Sequence, residues 1–260
     1  MAACSLAVSL DGLSGGDAAA ADASLDAIDN DGAADAAAID ATGGDSAIDG
    51  GGVDACATAD FCDHFDRDVV KGDWASAFTD NGGVLELDTS TSVSPSKSLR
   101  ITVPASGNPH AQLSSRGFPS VAHARVSFDM KSQGFGRQMA HIRMQLTEPS
   151  GRNGAFDLFS LNDRFVVTEQ VFGNPSLGYG DFTINSGFKA DTWQRWTMEL
   201  DARTTPTGIV VTLDGVEVVR KTLKNTFARA TLSILLGAFY APDGPVRVVS
   251  YDNLEVQILP

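Results

Sequence analysis

The sequence predicts an antiparallel all-β sandwich that follows a disordered acidic segment, and three observations support this prediction. The chain has 260 residues and a formal charge of −14, which is unevenly distributed. Residues 1–60 hold 12 Asp and no Glu, Lys or Arg, whereas residues 61–260 hold the other 21 acidic groups and all 19 basic ones. All aromatic residues also lie in residues 61–260, where apolar and polar positions alternate.

The first 60 residues consist mainly of Asp, Ala and Gly. Their larger apolar residues, such as Leu25, Ile28 and Ile39, are too sparse for the apolar stripe of a helix. A segment of low hydrophobicity with charges of one sign cannot offset the entropy lost on ordering, so residues 5–60 are predicted to be a disordered spacer. A calcium-binding Asp repeat is the alternative, but the irregular Asp spacing disfavours it.

The chain starts with small residues before Cys4, in the order Met-Ala-Ala-Cys-Ser. This order resembles the end of a bacterial lipoprotein signal, the lipobox, whose cysteine receives the lipid. The charged and apolar stretches of a signal peptide do not precede it. The resemblance implies lipidation of Cys4 and a spacer that tethers the domain to a membrane. The alternative is a free cysteine in a cytosolic chain.

The two other cysteines, Cys56 and Cys62, are separated by five residues. If Cys4 carries a lipid, this pair is free to form a disulfide in an oxidising compartment. Two reduced thiols are the alternative. A metal site is disfavoured because His64 is the only further ligand nearby.

Residues 61–260 contain short runs in which every second residue is apolar, as in strands with one buried face. Asp214-Gly215 between two such runs is a strong hairpin signal. No long helix is predicted, although Lys221–Ala230 has room for a turn or two. The predicted strands lie at Leu85–Leu87, Ser98–Val103, Ala111–Arg116, Ala124–Met130, Ile142–Leu146, Ala155–Leu161, Arg164–Gln170, Phe182–Asn185, Trp196–Leu200, Ile209–Leu213, Val216–Val218, Leu232–Tyr240 and Val246–Ile258.

Several motifs in residues 61–260 occur in the order typical of one superfamily. They are FCDHFDR at 61–67, GGVLELD at 82–88, WQRWTMEL at 193–200, VTLDGVEV at 211–218 and VSYDNLEV at 249–256. In this order they resemble the concanavalin A-like jelly rolls of legume lectins, laminin-G-like modules and glucanases. The resemblance implies a jelly-roll β-sandwich over residues 61–260, after a segment covering residues 1–60. It does not imply one activity, since lectins, hydrolases, lyases and inert modules share this fold.

Glycoside hydrolases of this fold resemble one another in a strand motif of three carboxylates, Glu-x-Asp-x-x-Glu or Glu-x-Asp-x-Glu. Glu199 and Asp201 match its first part, but Arg203 stands near the position of the third. Because the third carboxylate, which would be the general acid, is missing, a retaining mechanism is disfavoured. Lyases of this fold use an Arg or Gln together with a His or Tyr base. The stripe His141, Arg143 and Gln145 is the nearest match here, and a polar outer strand face is its more ordinary interpretation.

A carbohydrate-binding face needs only an aromatic platform and a few polar groups. The candidate ligand-binding residues are His141, Arg143, Gln145, Tyr179, Trp193 and Arg195. Trp74 and Trp196 are predicted to lie in the core instead.

A structural calcium ion is a possible cofactor where the first and last strands meet. Asp66, Asp252 and Asn253 offer the oxygen ligands that calcium prefers. Fewer than the usual six ligands can be named, and Asp252 bonding to backbone at a strand edge is the alternative.

The sequence therefore predicts a monomeric, lipid-anchored or secreted protein of the cell envelope, whose only membrane contact is its anchor. Its jelly roll is predicted to bind a polysaccharide or another surface partner without catalysis. A lyase or glycosidase is the alternative, and a structural module without a small ligand is the third. Nucleic-acid binding is disfavoured because no basic cluster is present, and no apolar run approaches the ~18 residues of a membrane span.

Overall fold

The computed structural model describes residues 55–133, 137–172, 180–184, 187–227 and 229–260. The predicted lipidation site Cys4 and most of the predicted spacer lie outside these residues, and so does the candidate ligand residue Tyr179. Residues 51–260 group into one compact unit. Within the described part of the chain, no helix is long and apolar enough to cross a membrane.

The described residues form sixteen strands and one short 3-10 helix, Ala55–Thr58. The first eight strands are β1 (Phe61–Asp63), β2 (Ser76–Asp80), β3 (Val84–Asp88), β4 (Ser98–Val103), β5 (His110–Ser114), β6 (Phe118–Val121), β7 (His123–Ser132) and β8 (Met139–Thr147). The others are β9 (Asn153–Ser160), β10 (Phe165–Val171), β11 (Gly180–Ile184), β12 (Gln194–Asp201), β13 (Gly208–Leu213), β14 (Val216–Thr222), β15 (Ala230–Ala238) and β16 (Arg247–Ile258).

These strands make two eight-stranded sheets, each paired antiparallel throughout. Sheet A has the order β14-β13-β12-β7-β16-β4-β3, with β1 also paired to β16. Sheet B has the order β11-β10-β9-β8-β15-β5-β2, with β6 also paired to β15. Strands that pair are often distant in the chain, such as β7 and β16, because the chain passes repeatedly from one sheet to the other. The predicted all-β antiparallel class is confirmed.

The core lies between the two sheets and is built by the alternation that predicted the strands. In β12, Trp196, Met198 and Leu200 are buried while the residues between them are half-buried on the outer face. Trp74 and Trp196 are 1% and 0% exposed, which confirms their predicted place in the core. Burial of this apolar surface is the main stabilising contribution to a sandwich of this kind.

The hairpin predicted at Asp214-Gly215 is present between β13 and β14. Both turn residues have positive φ angles, 51° and 78°, as a two-residue turn with the twist of the strands requires. Glycine tolerates this conformation, and Asp is among the few other residues that adopt it readily. The hairpin therefore forms for the reason that the sequence pattern indicated.

The predicted strands are present, and the structure adds three that the pattern did not indicate: β1, β2 and β6. All five residues of β2 are exposed, so no buried alternation marks this edge strand in the sequence. The turn or two of helix at Lys221–Ala230 was a wrong prediction. Strand β14 continues to Thr222, and no helix forms in residues 223–227.

The predicted disulfide joins Cys56 and Cys62, whose Cα atoms are 5.4 Å apart. Cys62 lies in β1, which pairs with the final strand so that Phe61 is opposite Val256. The disulfide therefore ties the 3-10 helix to β1, which is itself paired with the last strand, and the alternative of two reduced thiols is not what the structure shows.

Candidate functional site

A β-bulge in β8 directs His141 into the core. Ala140 pairs with Phe159 and Ile142 pairs with Leu158, so His141 is the extra residue between two regular pairs. A bulge of one residue reverses the alternation on one side of it, because side-chain direction has a period of two. The prediction that His141 shares an outer face with Arg143 and Gln145 is therefore wrong.

The buried ring of His141 has partners on both sides. Its Nδ1 atom lies 3.1 Å from the hydroxyl oxygen of Tyr251, and its Nε2 atom lies 3.0 Å from Oγ of Ser160. Burial, with a smaller effect of the Arg247 charge, lowers the pKa of His141 to about 3. Burial also raises the pKa of Tyr251. Both side chains are neutral at ordinary pH and act as internal hydrogen-bonding groups.

The outer surface of sheet B carries a convergent polar cluster. We call it the Arg143 face and define it by the outward side chains of β8, β9 and β10: Arg143, Gln145, Asp157, Thr168 and Gln170. Arg143 is directly opposite Asp157, and Asp157 is directly opposite Thr168. The cross-strand register therefore places these side chains in one row across the sheet.

Arg143 and Asp157 form a bidentate ion pair at the centre of this row. Nε and Nη2 of Arg143 donate to the two carboxylate oxygens of Asp157, each at 2.7 Å. Gln170 adds a hydrogen bond of 3.3 Å to the same carboxylate. Burial raises the pKa of Asp157, while the charge and hydrogen bonds of Arg143 oppose this shift. Both oxygens accept from Arg143, so the carboxyl group is ionised in this arrangement.

Two phenyl rings enclose the guanidinium group of Arg143. The centroids of Phe239 and Phe172 lie 4.7 Å and 5.3 Å from its central carbon. Phe172 is 40% exposed, and the neighbouring Tyr240 is 46% exposed. An apolar cluster follows on the same outer surface, made of Ala140, Phe159 and Val166, with Leu161 and Phe239 against it. Fixed polar groups here lie next to partly exposed aromatic surface.

Trp193 and Arg195 do not belong to the Arg143 face. Arg195 lies in β12 of sheet A, where it pairs with Asp129 at 3.3 Å and Glu255 at 2.5 Å. The indole nitrogen of Trp193 donates to Thr91 Oγ1 at 3.1 Å. The structure therefore separates the predicted ligand residues: Arg143 and Gln145 share one face, His141 is internal, and Trp193 and Arg195 belong to the sheet A side.

Glu199 and Asp201 share the outer face of sheet A, as the alternation predicted. Glu199 accepts two hydrogen bonds from Arg125, the shorter at 2.8 Å, and lies 2.9 Å from Nε2 of His123. Asp201 pairs with Arg203, which lowers the pKa of Asp201 to about 2. Both carboxylates are engaged by cations, and neither has the raised pKa of a general acid.

Two of the three residues predicted to bind calcium, Asp66 and Asp252, hydrogen-bond to the loop between β3 and β4. Asp252 is fully buried and accepts hydrogen bonds from the backbone N–H groups of Val93 and Ser94 at 2.7 and 2.9 Å. Asp66 accepts from the N–H groups of Ser96 and Lys97. The side-chain amide of Asn253 donates to Asp129.

Carboxylate oxygens that face N–H donors are poorly placed to ligate a cation, because the polar hydrogens occupy the ligand positions. In this arrangement Asp66 and Asp252 anchor the β3–β4 loop, Asn253 is hydrogen-bonded to Asp129 of β7, and the three residues do not fit a calcium ion. Among the described residues, the one group of three potential ligands is Cys56, Cys62 and His64, and its two sulfurs form the disulfide.

Many solved structures are similar to this domain, including two that cover most of the chain. An endo-beta-1,4-glucuronan lyase from the fungus Trichoderma reesei has a TM-score of 0.60 at 14% identity, over 78% of this chain and 96% of the lyase. The cellulose induced protein Cip1 has a TM-score of 0.56 at 15% identity, over 76% of this chain and 97% of that protein. These similarities confirm the predicted concanavalin A-like jelly roll. No protein-family model and no curated protein matches the chain.

The candidate ligand residues named from the sequence did not include Asp157, Gln170, Phe172 or Phe239. Each lies in a different run of the chain from Arg143. Asp157, Phe172 and Phe239 contact Arg143, and Gln170 bonds to Asp157, only because the strands pair in one register. Asp157 does carry a signal, since it is a lone acid within the apolar run Ala-Phe-Asp-Leu-Phe. A charge in such a run requires a partner, because an unpaired buried charge is costly.

Proposed function

We propose that the Arg143 face binds a polysaccharide without cleaving it. The observation that carries this proposal is the position of Arg143, which is held by its cross-strand partner Asp157 and by the rings of Phe172 and Phe239. A guanidinium fixed in this way loses little conformational entropy when a ligand binds.

The chemistry of this face suits a sugar chain. Exposed aromatic rings such as that of Phe172 pack against the C–H faces of pyranose rings. Gln145 and Gln170 are half-buried, and each amide offers both a donor and an acceptor for hydroxyl groups. A few polar groups next to aromatic surface are the usual composition of a binding site for small ligands and glycans.

A polysaccharide lyase is the second candidate, and the structural comparison favours it over a non-catalytic role, since the neighbour with the TM-score of 0.60 is named a glucuronan lyase. Such a reaction removes a proton next to a sugar carboxylate, so it needs a base beside a group that neutralises the carboxylate. In this chain His141 faces the core, and Arg143 is already paired with Asp157. The contacts of the described residues therefore favour binding.

We propose that the protein works outside the reducing cytoplasm, where soluble and surface polysaccharides are found. The Cys56–Cys62 disulfide supports an oxidising compartment. We propose attachment through a lipid on Cys4, with the acidic segment as a spacer, or secretion of the same chain.

Affinity electrophoresis and calorimetric titration against soluble polysaccharides test the proposal. We expect Phe172→Ala to weaken binding at least tenfold, which corresponds to about 1.4 kcal/mol. The control is Val216→Ala, which truncates a 66% exposed apolar residue of sheet A. Equal affinity of Phe172→Ala and the wild type would reject the proposed face. Release of an unsaturated product, measured by its ultraviolet absorbance, would establish the lyase instead.

A further inference from the structure

Positive charge is distributed very unequally between the two sheets. The eight strands of sheet B contain a single Lys or Arg, which is Arg143. The strands of sheet A contain seven: Arg100, Arg125, Lys131, Arg195, Arg220, Lys221 and Arg247. Arg143 is therefore the one guanidinium or ammonium group that the strands of sheet B offer to an anionic group.

The charge of Arg143 is compensated from within the protein. Its two hydrogen bonds of 2.7 Å reach both oxygens of Asp157, whose side chain is 1% exposed. The Arg143 side chain is 17% exposed, so water screens this pair poorly. Its two hydrogen bonds use Nε and Nη2, and no bond joins the N–H groups of Nη1 to the residues that the structure describes.

The other charged groups at outward positions of sheet B are acidic. Asp80 lies opposite His110 at one edge of the sheet, and Asp181 lies opposite Thr168 at the other. Both are exposed. A polymer with a carboxylate on every sugar would meet these acids and find no uncompensated cation in the strands.

We infer that the Arg143 face selects an uncharged polysaccharide, and that Asp157 is the residue that excludes polyuronates from it. This inference rests on the proposed function and specifies its ligand class. Sugar hydroxyl groups accept from Nη1 of Arg143 and exchange hydrogen bonds with Gln145 and Gln170 without a change in the charge balance. A sugar carboxylate has to compete with Asp157, which is already in the ideal bidentate position.

The test measures binding of a neutral panel and an acidic panel to the full chain. The neutral panel is hydroxyethyl cellulose, arabinoxylan and galactomannan, and the acidic panel is glucuronan, alginate and polygalacturonate. For the wild type, we expect binding to a neutral polymer and at least about tenfold weaker binding to every acidic one, which is a difference of ~1.4 kcal/mol.

The Asp157→Asn variant should gain at least about tenfold affinity for an acidic polymer, because the guanidinium charge is then uncompensated. The matched control is Glu199→Gln, which releases Arg125 from its ion pair on sheet A and should gain nothing. Circular dichroism of both variants checks that they are folded. If Asp157→Asn is unfolded, the double variant Asp157→Asn with Arg143→Lys replaces it, with the same expected gain.

The outcomes separate the two claims. Tighter wild-type binding to an acidic than to a neutral polymer would overturn the inference and leave polysaccharide binding in place. A folded Asp157→Asn variant without any gain would overturn the role of Asp157. Failure of the wild type to bind either panel would overturn the proposed function itself.

Discussion

The Nδ1 atom of His141 lies 3.1 Å from the hydroxyl oxygen of Tyr251, in the interior between the two sheets. His141 belongs to β8 of sheet B and Tyr251 to β16 of sheet A, so this contact is a polar connection between the layers of the sandwich. The bulge at His141 makes it possible, because a regular strand would place this side chain outside.

The buried His141 ring should make the stability of the domain depend on pH. Its pKa is about 3 in the folded chain and 6.5 when unfolded, so between these values the unfolded state binds the additional proton. Stability should therefore fall as the pH falls below 6.5, by roughly 1.4 kcal/mol per pH unit from this residue. Urea denaturation at several pH values measures this dependence.

The variant His141→Gln keeps hydrogen-bonding groups near Tyr251 and Ser160 but does not titrate. We expect its free energy of unfolding to be lower than that of the wild type at pH 7, and the difference to shrink towards pH 4. Parallel pH profiles for the two proteins would show that His141 is not the group responsible.

Removal of Arg143 should destabilise the fold as well as weaken binding. The variant Arg143→Met leaves the buried carboxylate of Asp157 without its partner, which costs about 3–5 kcal/mol in comparable buried pairs. Adding Asp157→Asn to Arg143→Met should recover most of this loss, since no buried charge then remains. A double-mutant cycle by urea denaturation measures the coupling, and additive effects of the two changes would contradict the ion pair.

Asp252 should control the stability of the β3–β4 loop. The variant Asp252→Asn places an amide where the N–H groups of Val93 and Ser94 donate, so we expect a loss of about 2 kcal/mol. The exposed Asp163→Asn is the control and should change little. The melting temperature is measured with calcium and with a chelator. A wild-type melting temperature that drops on chelation would support the calcium ion predicted from the sequence.

The disulfide should make a modest contribution to stability. For so short a loop, replacing Cys56 and Cys62 with serine should reduce the free energy of unfolding by ~2 kcal/mol. The matched control is Cys4→Ser, for which we expect no change. Thiol titration of the non-reduced, non-lipidated protein should find one free thiol, and a count of three would contradict the disulfide.

The fold could be predicted because its determinants are local. Alternation in runs such as Trp196–Leu200 and the turn at Asp214-Gly215 depend on neighbouring residues, and the structure contains both. The edge strand β2 escaped prediction because it has no buried face. Exposure removes the signal on which a period-two pattern depends.

The candidate site could be predicted only in part because it depends on register. Nothing local marks the bulge at His141, yet this one residue decides which side chains of β8 reach the surface. Arg143 and Asp157 are 14 residues apart in the chain and meet only because β8 and β9 pair in one particular register. Single-sequence patterns identify the strands but not the partner of each residue.

The central claim is that the ligand binds on sheet B at the Arg143 face. Hydrogen–deuterium exchange of the full chain, with and without a saturating polysaccharide from the binding screen, tests it most directly. We predict slower exchange in peptides that contain β8, β9 and β10, with no change in β7, β12 and β16. Protection confined to the strands of sheet A would contradict the claim.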